Sequence, residues 1–160
     1  MRTTKTRKTV ISTISAADEQ ILAAAEQILL KRLERNGKIG EPSEAGHYLR
    51  ARLGHAEREV FGCVFLDTRH HILACEDLFF GTIDGAEIAP REVVRRALTL
   101  NAAALVAFHN HPSGNTEPSA ADRALTARLK QALSLIDVRL LDHIVVSAQG
   151  FTSMAVRGWV

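Results

Sequence analysis

One short apolar segment constrains the fold of this chain more than any other feature. Residues 103–108 read Ala-Ala-Leu-Val-Ala-Phe, and the chain then enters the polar sequence His-Asn-His-Pro-Ser-Gly. An apolar run this short, closed by a proline and a glycine, is typical of a buried strand. The sequence therefore predicts a sheet that contains this strand, with helices packed on it.

Other segments have the 3.6-residue apolar spacing that indicates a helix. The first helix is predicted from Ser15 to about Arg35, with Ser15 as the N-cap and Asn36-Gly37 at the end. Its apolar stripe consists of Ile21, Ala25, Ile28, Leu29 and Leu33. Further helices are predicted at 43–53, at 90–100 with a buried face of Val93, Val94, Ala97 and Leu98, and at 119–136.

Runs of β-forming residues predict the remaining strands. Residues 59–66 and 71–76 flank a polar turn and should form a hairpin, with a third strand at 79–83. Closing strands are predicted at 138–146 and 151–156. The fold class is therefore α/β or α+β, a mixed sheet flanked by helices, without a glycine-rich phosphate-binding fingerprint.

The net charge of +2 conceals a basic N-terminus, which holds Arg2, Lys5, Arg7 and Lys8. Of 20 basic residues, 16 then remain against 18 acidic ones, a balance of −2 for the rest of the chain. We interpret residues 1–8 as a solvated leader, and contact with nucleic-acid phosphates is the alternative. Residues 1–40 are thus predicted to be a basic tail plus an amphipathic helix, and residues 41–160 the main domain.

Further features bear on the compartment. The sequence lacks an apolar run that could span a bilayer and the pattern of a secretory signal, so we expect a cytoplasmic protein without a membrane partner. Cys63 and Cys75 are too few for a disulfide framework and do not form a Cys-x-x-Cys pair. We expect buried free thiols, with a cross-strand disulfide as the alternative.

The segment 109–122 carries the strongest chemical signal. His109 and His111 are two residues apart, so an extended backbone directs both imidazoles to the same side. Asp122 falls in the first turn of the helix that follows, where its carboxylate can point back toward the strand end. Two histidines and one carboxylate match a catalytic zinc site with a fourth position left for water. Glu59 is the candidate proton acceptor, and Ser119 could stabilise a developing oxyanion.

Each of these residues also has an ordinary structural interpretation. A His-x-His sequence alone is more often an exposed turn, and Ser119 with Asp122 forms a helix capping pair. Glu57 shares the strand parity of Glu59 and is its rival. His143 is expected to be a packed or hydrogen-bonded strand residue, and exposed positions are expected for His47, His55, His70 and His71.

Taken together, the pattern of Glu59, His109-x-His111, Ser119 and Asp122 resembles the JAMM (MPN-plus) metalloprotease motif. The wording is similar to the RadC branch, in the segments EVFGCVFLDTRHHIL, PREVVRRALTLNAAALVAFHNHPSG, PSAADRALTARL and LLDHIVVS. The similarity runs from about residue 43 to the C-terminus. It implies a RadC-like JAB/MPN domain over 41–160, with a curved mixed sheet similar to the cytidine-deaminase fold.

The resemblance also implies roles for the site residues. His109, His111 and Asp122 would bind one Zn²⁺ per chain, Glu59 would be the general acid/base, and Ser119 would stabilise the tetrahedral intermediate. The implied activity is hydrolysis of a peptide or isopeptide bond by zinc-activated water, with a polypeptide or protein conjugate as substrate. The alternative is a non-enzymatic accessory module in DNA repair or processing. Longer RadC proteins carry an N-terminal helix-hairpin-helix region, for which this sequence shows no pattern.

Overall fold

The structure, a computed structural model, describes residues 15–81 and 88–160. Its helices and strands in chain order are α1 (Ala16–Asn36), α2 (Pro42–Leu53), β1 (Val60–Leu66), β2 (Ile72–Phe80), α3 (Pro90–Thr99), β3 (Ala104–Asn110), α4 (Ala120–Ser134), β4 (Arg139–Val146) and β5 (Phe151–Ser153). All four predicted helices are present and begin within one residue of the predicted start.

The strands form one five-stranded sheet in the order β2-β1-β3-β4-β5. Strand β3 pairs antiparallel with β1 and parallel with β4, while β2 and β5 pair antiparallel at the two ends. All seven residues of β3 are buried, as its apolar sequence predicts. Helix α4 makes the crossover between the parallel strands. The predicted mixed sheet with flanking helices is confirmed.

Alternate side chains of the sheet enter two cores on its opposite faces. On one face, α3 and α4 pack on β1 and β3 through residues such as Phe65, Leu105 and Leu129. On the other face, α2 packs through residues such as Leu49 against Phe108. Both faces of the central strands are therefore covered, and the polar site at the end of β3 is held in a rigid frame.

Three sequence predictions about elements are wrong. Phe79 and Phe80, predicted to begin a separate strand at 79–83, instead continue β2 and pair with the start of β1; residues 82–87 lie outside the described part. Strand β5 ends at Ser153, where the Asp142 carboxylate accepts a hydrogen bond from the amide of Ala155 and draws the chain into a turn. Leu98 is 58% exposed on α3, so it is not part of the buried face.

The two cysteines are free, and a disulfide between them is excluded by the sheet register. Val64 pairs with Cys75, and Cys63 pairs with Glu76. Cys63 enters the core beneath α3 and α4, whereas Cys75 packs against the core beneath α2. The expectation of free thiols is confirmed, although Cys75 is only partly buried.

Helix α1 forms as predicted, and those of its side chains that the structure describes are exposed. Ser15 caps the helix, since its hydroxyl accepts a hydrogen bond from the amide of Asp18. Of the residues in its apolar stripe, Ile21 is 66% and Ile28 is 65% exposed. Within residues 15–81 and 88–160, no helix is both long and apolar enough to span a membrane. The basic residues 2–8 lie outside the described residues, and the domain boundary near residue 40 stays a prediction.

Candidate metal centre

The carboxyl end of β3 presents two histidines to the same side of the sheet. Strand β3 continues through His109 and Asn110, so the predicted alternation holds up to His111. His109 is fully buried and His111 is partly exposed. Their Nε2 atoms lie 2.9 Å apart. The structure thus brings together the pair that the sequence predicted.

The N-terminus of α4 supplies a carboxylate to the same place. Ser119 is the N-cap: its Oγ accepts a hydrogen bond of 3.1 Å from the amide of Asp122, and its own amide donates one of 2.7 Å to Asp122 Oδ2. This reciprocal capping box fixes the Asp122 side chain. The structural interpretation of the pair is confirmed, and it also positions the carboxylate toward the histidines.

The spacing of the donor atoms fits a metal ion. Asp122 Oδ1 is 3.3 Å from His109 Nε2, and Asp122 Oδ2 is 3.6 Å from His111 Nε2. With 2.9 Å between the two imidazoles, these separations bracket the roughly 3.3 Å expected between ligands of tetrahedral Zn²⁺ at bond lengths of about 2.0–2.1 Å. The set of His109, His111 and Asp122 could therefore hold a metal ion.

One buried atom in this group lacks a hydrogen-bond partner. Asp122 is 1% exposed, yet its Oδ1 makes no hydrogen bond within the described residues. A buried carboxylate oxygen without a partner is costly, and a bound cation removes that cost. This orphaned oxygen is the observation that most directly supports a metal site here.

The electrostatics of the group favour a charged carboxylate. Burial alone would raise the pKa of the Asp122 carboxyl, but the close approach of His109 and His111 and the Ser119 amide together hold it well below its usual range. The pKa of His111 is raised, chiefly by Asp122, against the opposing effect of burial. The Asn115 carbonyl and the charge of Glu59 act in the same direction. The site is therefore built for a positive charge.

The position of Glu59 follows from the sheet register. It directly precedes β1, and its carbonyl accepts a hydrogen bond of 2.9 Å from the amide of Gly81. Phe61 pairs with His109, so Glu59 comes to the same end of the sheet as His111. Glu59 is half-buried, whereas its rival Glu57 is exposed in a bend before the strand. The chemical role of Glu59 stays a prediction, as does that of Ser119.

Asn110 has a structural role that the sequence did not reveal. Its side chain points away from the two histidines, into the opposite face of β3. Its Oδ1 accepts a hydrogen bond of 2.7 Å from the amide of Val60, and its Nδ2 donates one of 3.0 Å to the carbonyl of Arg58. Asn110 therefore hydrogen-bonds to the backbone of the two residues that flank Glu59. In the sequence, the only indication of a role for Asn110 was its position between the two histidines.

Behind the histidines lies a buried polar contact. His143 Nε2 is 2.8 Å from His109 Nδ1, and His143 Nδ1 is 2.6 Å from Thr126 Oγ1. The prediction of a hydrogen-bonded strand residue at His143 is confirmed, whereas Thr126 gave no sequence signal beyond helical spacing from Asp122. Among the other histidines, the structure exposes His47, His55 and His71 as expected and half-buries His70.

Comparison with known proteins is consistent with this geometry. The family model described as "RadC-like JAB domain" matches residues 39–159. Curated relatives named "UPF0758 protein" include one from Xanthomonas campestris pv. campestris, 58% identical over 139 residues, which covers 87% of this chain and 62% of the relative. Another, from Stutzerimonas stutzeri, is 53% identical over 142 residues, covering 89% of this chain and 63% of the relative.

A third relative, from Xylella fastidiosa, is 56% identical over 132 residues, covering 82% of this chain and 59% of that protein. The chain therefore spans about three fifths of the length of the curated relatives that it matches. The mixed sheet with flanking helices is consistent with the JAB/MPN fold that the sequence resemblance implied. By family match and by the identity of these relatives, the chain belongs to the RadC-like JAB domain family.

Proposed function

We propose that this chain is a zinc-dependent hydrolase of the JAMM type, which cleaves a peptide or isopeptide bond in a polypeptide or protein conjugate. The observation that carries the proposal is the buried, unpartnered Oδ1 of Asp122 beside two histidine Nε2 atoms. Nitrogen ligands with one carboxylate suit Zn²⁺, whereas Mg²⁺ and Ca²⁺ prefer sets made of oxygen ligands.

When bound, Zn²⁺ supplies a Lewis acid that polarises a carbonyl and lowers the pKa of a water molecule. The residues of the chain do the rest. Asn110 fixes the backbone of the residues on either side of Glu59. Glu59 accepts the proton of the attacking water and delivers it to the leaving amine nitrogen. Ser119 Oγ accepts from the Asp122 amide, so its own hydrogen can be donated to the developing oxyanion.

The proposal predicts different effects for two neighbouring acids. Glu59→Gln should retain one zinc per chain, because the three ligands are unchanged, and should lower turnover by about 10²–10⁴-fold, the usual contribution of a general base. Metal content is measured by elemental analysis of protein without a histidine tag, and turnover with a library of quenched fluorescent peptides and isopeptides. His109→Ala should lose the metal.

Glu57→Gln is the matched control, since Glu57 lies in the exposed bend two residues before Glu59. It should keep both metal and turnover. Full activity in Glu59→Gln, or a loss of activity only in Glu57→Gln, would contradict the proposed role of Glu59 as the general base. Wild-type protein that stays free of zinc after zinc is supplied would contradict the proposal as a whole.

A further inference from the structure

We propose that His143 and Thr126 are positioning residues that hold His109 in the tautomer presenting Nε2 to the metal ion, through a hydrogen-bond relay that ends on the main chain of Asp122. The inference deepens the proposed function and rests on it for the metal. The relay itself consists of described contacts among four buried residues: His109, His143, Thr126 and Asp122.

The two histidine ligands differ in what holds their second nitrogen. Nδ1 of His111 lies 2.7 Å from the carbonyl oxygen of Asn115. A carbonyl can only accept, so Nδ1 of His111 carries the hydrogen and Nε2 is left for a ligand. Nδ1 of His109 faces another imidazole, His143 Nε2, at 2.8 Å, and either nitrogen could be the donor there.

Thr126 settles the direction of this second contact. Its Oγ1 lies 2.6 Å from the carbonyl oxygen of Asp122, one helical turn earlier, and 2.6 Å from His143 Nδ1. Two oxygens this close require a hydrogen between them, and only the hydroxyl can provide it. The Thr126 hydroxyl therefore donates to Asp122 and accepts from His143 Nδ1.

The remaining assignments follow from the single hydrogen of a neutral imidazole. With Nδ1 protonated, His143 Nε2 must accept, so His109 Nδ1 donates to it. His143 is fully buried and its two hydrogen-bond partners are an imidazole and a hydroxyl, so no carboxylate compensates a charge there and the ring is neutral. Its ring packs edge-on against Phe61, which fixes its plane.

The relay therefore has one direction, from His109 through His143 and Thr126 to Asp122. It joins β3, β4 and α4, and it connects one metal ligand to the backbone of another. Its consequence is that the neutral forms of both histidines direct unprotonated Nε2 atoms toward the Asp122 carboxylate. Groups at 2.9–3.6 Å with this polarity need a positive charge between them, which a bound metal ion would supply in place of a proton.

The first test measures zinc affinity by competition with a chromophoric chelator. His143→Leu removes both contacts at similar volume, and Thr126→Val removes the hydroxyl at the same shape. Both should bind zinc about 10–100-fold more weakly than wild type, the usual effect of losing a partner behind a ligand. The conservative variants His143→Gln and Thr126→Ser retain donor and acceptor atoms and should recover most of that affinity.

A matched control separates positioning from general destabilisation. Val64 is buried in the core on the opposite face of the sheet, beneath α2. Val64→Ala should lower stability and leave zinc affinity within twofold of wild type. If Thr126→Val also binds zinc within twofold of wild type, the relay does not position His109, and this result decides the matter even if His143→Leu fails to fold.

The second test determines which ring nitrogen of each histidine carries a hydrogen, by ¹⁵N–¹H correlation NMR spectroscopy of the imidazole rings. His143 should be the Nδ1–H tautomer with and without zinc, because its direction is set by the Asp122 carbonyl. An Nε2–H tautomer of His143 would overturn the inference. Since this readout does not need the metal, a wild type that fails to bind zinc would end the proposed function while leaving the relay separately testable.

Discussion

Asn110 shows how a single strand residue can serve the opposite side of a site. The two histidines that flank it point to the candidate metal centre, while its amide satisfies the backbone around Glu59 on the other face. The candidate ligands and the candidate base are therefore held through adjacent residues of one strand. Their relative position depends on the pleat of β3 and on few torsion angles.

Asn110→Ala should destabilise the protein without removing the metal. The variant leaves the Val60 amide and the Arg58 carbonyl without their partner, which costs about 1–3 kcal/mol for a buried group. Urea unfolding measures this loss, and elemental analysis should still find one zinc per chain. Asn110→Asp keeps the acceptor for Val60 and should lose less. A zinc-free Asn110→Ala that unfolds like wild type would contradict this view.

The residues that could be predicted from the sequence are those placed by local geometry. His109 and His111 follow from strand alternation, and Asp122 from the first turn of a helix. The roles of Asn110, Thr126 and His143 depend on which strands lie beside β3 and in what register. That information is spread over the whole chain, so a local pattern could not reveal it.

At the scale of elements, α2 packs closely against the sheet because one of its residues has no side chain. A Cβ at Gly46 would lie 2.4 Å from ring carbons of Phe151, well inside contact distance. The ring of His47 meets the same phenylalanine edge-on. The glycine therefore sets how closely α2 approaches β5, the strand at one end of the sheet.

Gly46→Ala should destabilise the protein although alanine is the better helix former. Alanine gains about 1 kcal/mol in a helix interior, but overpacking against a ring costs typically about 1–3 kcal/mol. In a Phe151→Ala background the obstacle is gone, so the same change should become stabilising. A double-mutant cycle, followed by urea unfolding, measures the change in unfolding free energy caused by Gly46→Ala in each background. Equal effects in the two backgrounds would show that the ring is not the cause.

The ion pair between Glu76 and Arg96 ties β2 to α3 and should depend on pH. Two hydrogen bonds of 2.6 and 2.5 Å join the groups, and they lower the pKa of the Glu76 carboxyl below 4.5. A lowered folded-state pKa adds stability above the unfolded value and loses it as pH falls through the folded one. Glu76→Gln should thus be less stable than wild type by up to about 1 kcal/mol at pH 7.

That difference should shrink as the pH falls from the ordinary pKa of glutamate through the lowered pKa of Glu76, where the carboxyl becomes protonated in wild type as well. Urea unfolding at several pH values measures it. High salt should also reduce the difference at pH 7, because the pair is partly exposed. A difference that stays constant from pH 7 to pH 3 would assign the effect to packing rather than to charge.

At the scale of the whole molecule, two residues just before the predicted domain boundary at residue 41 contact the rest of the fold. Lys38 bridges to His71, and the amide of Ile39 donates a hydrogen bond of 3.0 Å to the carbonyl of His70. Ile39 also enters the core beneath α2. The family match likewise starts at residue 39. The segment after α1 therefore packs against the turn between β1 and β2 and pairs with it through backbone hydrogen bonds.

Two truncations should separate α1 from this segment. A chain that starts at Gly37 should keep the unfolding midpoint of the full chain within a few degrees, because the described side chains of α1 are exposed. A chain that starts at Glu41 also loses Ile39 and should be less stable by about 1–3 kcal/mol. Thermal melts followed by circular dichroism measure both. Equal midpoints for the two truncated chains would contradict the assignment.

Fold class and element order could be predicted from the sequence because each element carries its own period. Which part of the chain covers each face of a helix could not be predicted in this way. The period of α1 predicts an apolar stripe through Ile21 and Ile28 but says nothing about a neighbour, and the structure leaves these two residues exposed. The prediction of a separate strand starting at Phe79 was wrong for a related reason. Pairing with β1 extends β2 through Phe79 and Phe80, and a local pattern does not show which strand lies beside these residues.

The order of the site residues along the chain has a consequence for chain entropy. His111 and Asp122 are 11 residues apart, whereas Glu59 is 50 residues before His109. Closing the longer loop costs about 1 kcal/mol more than closing the shorter one, by the logarithmic dependence on length. If the proposed metal binds, the three candidate ligands at the β3–α4 turn can therefore be brought together at a lower entropic cost than Glu59, which arrives only when β1 docks beside β3.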